Sequence, residues 1–194
     1  MRVSKQQSAE NRQALVRAAA TLFRERGIDG VGVADVCRAA GLTHGALYAH
    51  FESKQALAAE AIDSCSAVTD ARLADLAARS SDPLGTFLDA YLSPGHRDDP
   101  ADGCPLSALA ADASRQDVPV SAGFAGGFGR SVGTISGLLT AVPTRDRRAR
   151  ATAIVSLLSG AVAASRGVLR SDPELADRIL KDARKGARRL ADLS

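Results

Sequence analysis

Residues 33–51, VADVCRAAGLTHGALYAHF, constrain the fold of this chain more than any other segment. Two short stretches, 33–40 and 44–51, carry apolar residues at helical spacing and are joined by a turn at Gly41. Thr43 stands where a residue caps the second stretch, and Leu47 points back toward a core. Two short helices joined by a tight glycine turn form a helix-turn-helix, which we place at about residues 32–51. A plain helical hairpin has the same spacing and stays an alternative.

The rest of the chain repeats the helical pattern, so we predict an all-α fold. Hydrophobic residues make up 45% of the 194 residues and aromatic residues only 4%, so the core must consist mainly of Ala, Leu and Val. Glycine and Asp-Pro steps separate the apolar stripes. The pattern predicts nine helices and no strand, at residues 10–27, 33–40, 44–51, 55–79, 83–92, from 105, 119–142, 145–168 and 173–191, with a loop at 93–103.

A domain boundary is expected where the helix-turn-helix ends. Residues 1–53 are predicted to form a three-helix domain, and residues 54–194 a second helical domain, with the long helix 55–79 joining the two. The net charge is +3, and residues 1–60 carry eight basic and six acidic side chains. This small excess is compatible with binding to nucleic acid but does not demonstrate it.

The beginning of the chain, MRVSKQQSAENRQ, lacks the apolar segment of a signal peptide. No later run is expected to reach the roughly 18 apolar residues of a membrane span. We therefore expect a cytoplasmic protein without a membrane partner. The three cysteines, Cys37, Cys65 and Cys104, form no CxxC pair and are expected to be reduced.

The wider segment ALVRAAATLFRERGIDGVGVADVCRAAGLTHGALYAHFESKQALAAEAI, residues 14–62, resembles the DNA-binding domain of the tetracycline-repressor (TetR/AcrR) family over its whole length. The most specific part is AAGLTHGALYAHFESKQAL, residues 39–57. The resemblance implies a ligand-responsive transcription regulator, typically a repressor released from a palindromic operator of double-stranded DNA. An activator of the same fold, or a helical interaction module without DNA binding, are the alternatives.

The resemblance also implies which residues contact DNA. Thr43 caps the recognition helix and can donate to phosphate, while His44, Gly45 and Ala46 stand where the family contacts base edges. Tyr48 and Lys54 match positions that contact the DNA backbone, where they fix register. A basic N-terminal arm is expected to add affinity.

Two positions depart from the family's pattern. Gly32 stands where the family usually has a threonine that caps the first short helix and meets phosphate, so one backbone contact is in doubt. Cys37 replaces a usual alanine, and we expect a buried, inert thiol there. Because Gly45 and Ala46 carry no hydrogen-bonding side chain, base specificity is expected to depend on few groups and on DNA shape.

The last two predicted helices resemble those that form the dimer interface of the family. Leu157, Leu158, Leu175 and Ile179 are the predicted apolar anchors of a homodimer, with small residues such as Ser156, Ser159, Gly160 and Ala163 allowing close approach. Packing inside a single chain is the alternative. A dimer suits the need for two recognition helices about one DNA turn apart.

A small-molecule effector is expected to bind among the middle helices. Phe87, Leu88, Tyr91, Phe124 and Phe128 supply most of the aromatic and apolar candidates there, which suits a small hydrophobic ligand. These side chains are equally suited to a plain core.

Cys104 is a further candidate within the effector domain. It precedes Pro105 at a predicted helix start, where the free N–H groups favour a thiolate, and His96 and Arg97 lie in the preceding loop. The Gly-Cys-Pro-Leu segment resembles one branch of the family, in which some members sense electrophiles through a cysteine. The alternatives are an accessible sensor thiol and a buried structural one.

The sequence shows none of the common motifs of an enzyme active site. No GxSxG elbow, HExxH pair or P-loop is present, and Gly127–Phe128–Gly129 lacks the third glycine of a nucleotide-binding loop. The three histidines have no ligand-spaced partners. We therefore expect no catalytic residues, no metal and no cofactor.

Overall fold

The computed structural model describes residues 4–191, which form ten α-helices and no strand. In chain order they are α1 (Lys5–Arg26), α2 (Val33–Ala39), α3 (His44–Tyr48), α4 (Lys54–Ala78), α5 (Pro83–Tyr91), α6 (Pro94–Asp98), α7 (Pro105–Ala113), α8 (Val118–Leu138), α9 (Thr144–Val168) and α10 (Pro173–Ala191). The all-α prediction is confirmed.

Local chemistry accounts for most of the helix boundaries. Ser4, Ser53 and Asp82 each accept a hydrogen bond at a helix start from a backbone N–H three residues later. Gly27 ends α1 with a φ of 75°, and Gly41 forms the turn between α2 and α3 with a φ of 68°. These are conformations that glycine adopts at little cost.

All nine predicted helices are present, and one short helix was not foreseen. The five-residue α6 lies in the segment predicted as a loop, where Ser93 caps it and Pro94 is its first residue. α3 ends at Tyr48 instead of Phe51, and α1 begins at Lys5 instead of Glu10. A helix end can shift by about a turn without changing the apolar period of the helix, and the α6 segment itself has no apolar period to detect.

Two apolar cores lie along the molecule, and α4 contributes to both. The first joins α1, α2 and α3 to the beginning of α4, where Leu57 is fully buried. The second joins the later part of α4, through Leu73, to α5, α8, α9 and α10. Leu109 and Val120 carry the first core into the following helices. The domain boundary near residue 53 therefore stays a prediction.

The buried face of α4 does not coincide with its apolar residues. Val68 and Leu76 of α4 are apolar, yet they are 64% and 47% exposed. The face that packs against α8 instead buries Ser66 and Asp70, while Thr69 is buried on the side toward α1. α4 lies between α1 on one side and α8 on the other, so a single apolar stripe does not describe its packing.

Helix α9 departs from the expectation that no segment is apolar enough to span a membrane. By length and composition it is sufficient, with a mean hydropathy of 1.4 over its most apolar 18 residues. Core helices of soluble proteins have the same composition, and here Ile154, Leu158 and Val162 are buried against neighbouring helices.

Candidate nucleic-acid interface and ligand cavity

The helix-turn-helix is built from α2, the Gly41 turn and α3. The backbone N–H of Leu42 donates to the carbonyl of Cys37 at 2.9 Å and closes the turn. Leu47 is fully buried, which anchors α3 to the first core. Thr43 occupies the N-cap position with extended backbone, but its hydroxyl makes no capping hydrogen bond and is exposed.

The outer face of α3 is open to solvent. His44, Gly45 and Tyr48 are exposed, and Ala46 is half-buried. The Tyr48 side chain is 53% exposed, and its ring centroid lies 5.3 Å from that of His44. A Cβ added at Gly45 would meet no atom within 4 Å, so no bulky side chain obstructs this face.

Lys54 is the first residue of α4 and is half-buried, directly after the Ser53 cap. Arg12 of α1 stabilises the junction between α3 and α4, where it forms a salt bridge with Glu60. The Arg12 guanidinium also lies 4.6 Å from the centroid of the Phe51 ring. These contacts fix the beginning of α4 relative to α3.

At the start of α2, Gly32 has no side chain that could accept a capping hydrogen bond, and only the return half of a capping box is present. The Asp35 carboxylate accepts a hydrogen bond from the Gly32 N–H at 3.1 Å, and Arg38 donates to its other oxygen at 3.1 Å. Arg38 is highly exposed, and sequence reasoning did not select it although it is a cation within the motif. Arg2 of the expected basic arm lies outside the described residues. Lys5 begins α1.

The predicted effector residues are only partly brought together. Phe87 and Tyr91 line an interior cavity of about 10 Å³ between α4, α5, α8 and α9. Leu88 is buried in the same core without lining this cavity, and Phe124 and Phe128 are half-buried residues packed against the core from α8. A volume of about 10 Å³ holds roughly one water molecule.

Sequence reasoning missed Asp70, which lines this cavity. Its side chain is 7% exposed, and its two carboxylate oxygens lie 2.9 and 3.0 Å from the Ser131 hydroxyl, which donates to them. Burial raises the pKa of Asp70 to about 6. Its spacing of four residues from Ser66 places both side chains on one face of α4. That face is interior only because α8 packs against it, which the sequence does not indicate.

Cys104 does not have the environment of a reactive thiol. It caps α7 as predicted, yet its side chain is 1% exposed and burial raises its pKa. Its backbone N–H donates to Nε2 of His96 at 2.9 Å, and burial lowers the pKa of that histidine. Of the two alternatives for Cys104, the structure therefore supports the buried structural thiol. Cys37 is also buried, as expected.

The predicted dimer anchors divide into two groups. Leu158 is 2% exposed and packs in the chain's own core, so its assignment to an interface with a partner is wrong. Leu157, Leu175 and Ile179 are half-buried at the edge of α9 and α10. The face of α9 beside them is exposed and consists of small residues, namely Ala153, Ser156, Gly160, Ala163, Ala164 and Gly167.

A larger cavity of about 470 Å³ opens at the surface beside α6, away from the predicted effector residues. Most of its charged and polar walls come from Arg72, Asp75, Arg79, His96, Asp99 and Asp102. Among the residues that the structure describes, no three His, Cys, Asp or Glu side chains converge as metal ligands.

Comparison with known proteins gives one consistent match at the beginning of the chain. Residues 15–61 match the family of bacterial regulatory proteins of the tetR type. The HTH-type transcriptional regulator AcrR of Shigella flexneri is 37% identical over 59 residues, which are 30% of this chain and 27% of that protein. The HTH-type transcriptional repressor BepR of Brucella suis is 43% identical over 54 residues, 28% of this chain and 26% of that protein. The matches thus span about a quarter of each relative.

The whole fold also has a counterpart among solved structures. A TetR transcriptional regulator from Legionella pneumophila superposes with a TM-score of 0.74 at 20% identity, covering 97% of this chain and 98% of that one. At this identity the similarity establishes the fold, from the helix-turn-helix through α10.

Proposed function

Because residues 15–61 match the tetR family of bacterial regulatory proteins, we propose that this chain is a ligand-responsive transcription regulator that binds operator DNA as a homodimer. The observation that carries the proposal is the open outer face of α3, anchored from behind by the buried Leu47. A short helix presented in this way fits the major groove.

The contacts to DNA divide into two kinds. Tyr48, Lys54 and the free hydroxyl of Thr43 contact phosphates and set the register. His44 is the one groove-facing side chain of α3, besides Tyr48, that carries hydrogen-bonding atoms, while Gly45 and Ala46 offer only backbone and methyl contacts. Operator identity therefore depends strongly on DNA shape.

The dimer forms through the exposed small-residue face of α9 and the half-buried Leu157, Leu175 and Ile179 at its edge. Small side chains let two helices approach closely. The symmetric pair spaces two copies of α3 along one face of the DNA, as a palindromic site requires.

The effector acts through α4, which joins both cores. The loop between α6 and α7 is tied to the DNA-binding part by Arg24, which donates to the carbonyl of Ala101, and to α4 by the Arg72–Asp102 salt bridge. A ligand that favours one position of α4 changes the spacing of the recognition helices. Release of a repressor is the mode we propose, with activation as the alternative.

This function is non-enzymatic and places the protein with the DNA in the cytoplasm. It calls for no metal or cofactor. The interior cavity beside Phe87 and Tyr91, widened by the ligand, is the proposed effector site.

Selection of DNA sequences with the purified chain, followed by a salt titration, tests the proposal. We expect a palindromic sequence whose affinity falls steeply with salt, because phosphate contacts release counterions. Lys54→Ala should weaken binding to all sequences and reduce the salt slope by about one unit. Lys181→Ala, which removes an exposed lysine of α10, is the matched control and should leave both unchanged.

An affinity that depends on neither salt nor sequence would reject the regulator function. A normal salt slope in the Lys54→Ala variant would leave the regulator in place but reject the assigned role of that lysine.

A further inference from the structure

The Asp70 carboxylate lies among residues of the second core without a salt-bridge partner. No lysine or arginine of the described residues is within salt-bridge distance of it, and its only hydrogen-bond donor is the Ser131 hydroxyl. Arg130, which directly precedes Ser131 in α8, forms its salt bridge with the more exposed Asp63 at 2.6 Å. A carboxylate that is 7% exposed and lacks a counterion is costly for the folded state.

The remaining walls of the cavity suit an organic body that carries positive charge. The rings of Phe87 and Tyr91 are stacked, with centroids 6.2 Å apart and planes at 14°. Aromatic faces attract cations, most strongly where water is excluded. The other walls are aliphatic, from Leu106, Ile135, Val155 and Leu158.

We propose that the cavity between Asp70, Phe87 and Tyr91 binds an organic cation, a protonated amine on an apolar or aromatic body. The ammonium group supplies the counterion that Asp70 lacks, and the aromatic and aliphatic walls take the apolar body. This inference deepens the proposed function, on which it rests, by naming the chemical class of the effector.

The cavity must widen to admit such a ligand, and α8 is the wall best suited to move. Ser131 and Ile135 belong to α8, a helix that also contains six glycines. A Cβ added at Gly129, Gly133 or Gly137 would meet nothing within 4 Å, so packing within the chain does not require glycine there. Each interior glycine lowers helix stability by about 1 kcal/mol relative to alanine. A weakened helix bordering a small cavity is a wall that a ligand can displace.

The charged and titratable groups facing Asp70 come from three other elements. They are Tyr91 of α5, Cys104 at the start of α7 and Arg130 of α8, whereas α9 contributes Val155 and Leu158. Burial raises the pKa of Tyr91 and of Cys104, so both stay neutral between pH 5 and 7.5. His96 packs against Tyr91 with a pKa lowered by burial, and it is unchanged in a variant at position 70.

Calorimetric titration of the full chain without DNA tests the site, with 2-phenylethylamine and its neutral counterpart 2-phenylethanol as probes. At pH 7.5 we expect the amine to bind at least tenfold more tightly than the alcohol. Asp70→Asn should abolish this preference, since it keeps the shape but removes the charge. Asp75→Asn, on the same helix but exposed and paired with Arg79, is the matched control and should retain it.

The pH dependence gives a second measurement. With a pKa of about 6, Asp70 is mostly protonated at pH 5, so the amine should bind about tenfold more weakly there than at pH 7.5. The alcohol should show no such change, and the Asp70→Asn variant should lose the dependence for the amine. A dependence that persists in this variant would belong to His96 and contradict the assignment.

Equal affinity for the two probes, unchanged amine binding in a folded Asp70→Asn variant, or no binding of either probe at millimolar concentration would each overturn the inference. Operator binding, followed in parallel by fluorescence anisotropy, separates the two claims. Specific DNA binding without amine binding leaves the regulator intact and rejects the cation site. Amine binding without specific DNA binding retains the site and rejects the regulator.

Discussion

At the scale of single residues, burial decides the chemistry of the second core more than residue type does. Cys104 and Asp70 are both ionisable, and in this fold the pKa of each is raised because burial disfavours the charged form. Cys104 becomes an ordinary interior thiol at the start of α7. Asp70 remains largely ionised at neutral pH and carries the cost of that charge.

The shifted pKa of Asp70 predicts a pH dependence of stability. Its pKa rises from 3.8 to about 6 on folding, so the folded state favours the protonated form. This contribution is fully present below pH 3.8 and is lost as the pH rises through 6. Between pH 4.5 and 7.5 the wild type should lose about 2 kcal/mol that Asp70→Asn does not lose.

Urea denaturation of both proteins at the two pH values measures this difference. The comparison removes the contribution of other groups, because they are common to both chains. A difference between the two free energies of unfolding that does not change with pH would contradict a raised pKa at Asp70.

At the scale of elements, the close packing of α4 against α8 depends on glycines of α8, because a side chain at their positions would clash with α4. A Cβ at Gly123 would lie 2.6 Å from the carbonyl oxygen of Ala59, and one at Gly127 would lie 2.4 Å from the Ser66 hydroxyl oxygen. Both are closer than real contacts allow. By contrast, Gly129 faces open space, so glycines of one helix serve different purposes.

Alanine substitutions in α8 should therefore have opposite signs. Gly123→Ala forces α4 and α8 apart against backbone and should destabilise the fold by about 1–3 kcal/mol. Gly129→Ala adds no contact and should stabilise it by roughly 0.5–1 kcal/mol through helix propensity. Chemical denaturation of the two variants measures both effects. Destabilisation by Gly129→Ala of the same size as by Gly123→Ala would reject the close-packing explanation.

At the scale of the whole molecule, the exposed face of α9 is a surface that packs against nothing within the single chain. The residues of this face are small and weakly polar, and the apolar composition of α9 as a whole would suffice for a membrane helix. Association with a second copy would bury that face and position two recognition helices together.

Gly160→Arg should break this association without disturbing the fold. A Cβ at Gly160 meets nothing within 4 Å in the single chain, whereas in a close helix pair the charged side chain would be buried without a partner. We expect at least a hundredfold weaker dimerisation by analytical ultracentrifugation. Gly133→Arg makes the same change at an equally open glycine of α8 and should remain dimeric. If both variants lost the dimer equally, or if neither lost it, the interface would not be the exposed face of α9.

Sequence alone determined the parts of this protein that depend on neighbours along the chain. The helices, their Ser and Asp caps, the Gly41 turn and the inward Leu47 all follow from spacing and backbone chemistry within a few residues. The outward face of α3 follows from the same period. The five-residue α6, PGHRD, was not predicted because it contains no Leu, Val or Ile whose spacing could indicate a helix.

Only the tertiary structure decided what became interior. Asp70 and Ser131 are 61 residues apart and meet because α4 packs on α8, while Val68 and Leu76 stay outside. The same packing buried Leu158 within its own chain and enclosed Cys104. Burial is a property of surfaces brought together over long range, and so the cavity, its charge and the pKa values it shifts lie beyond any local pattern.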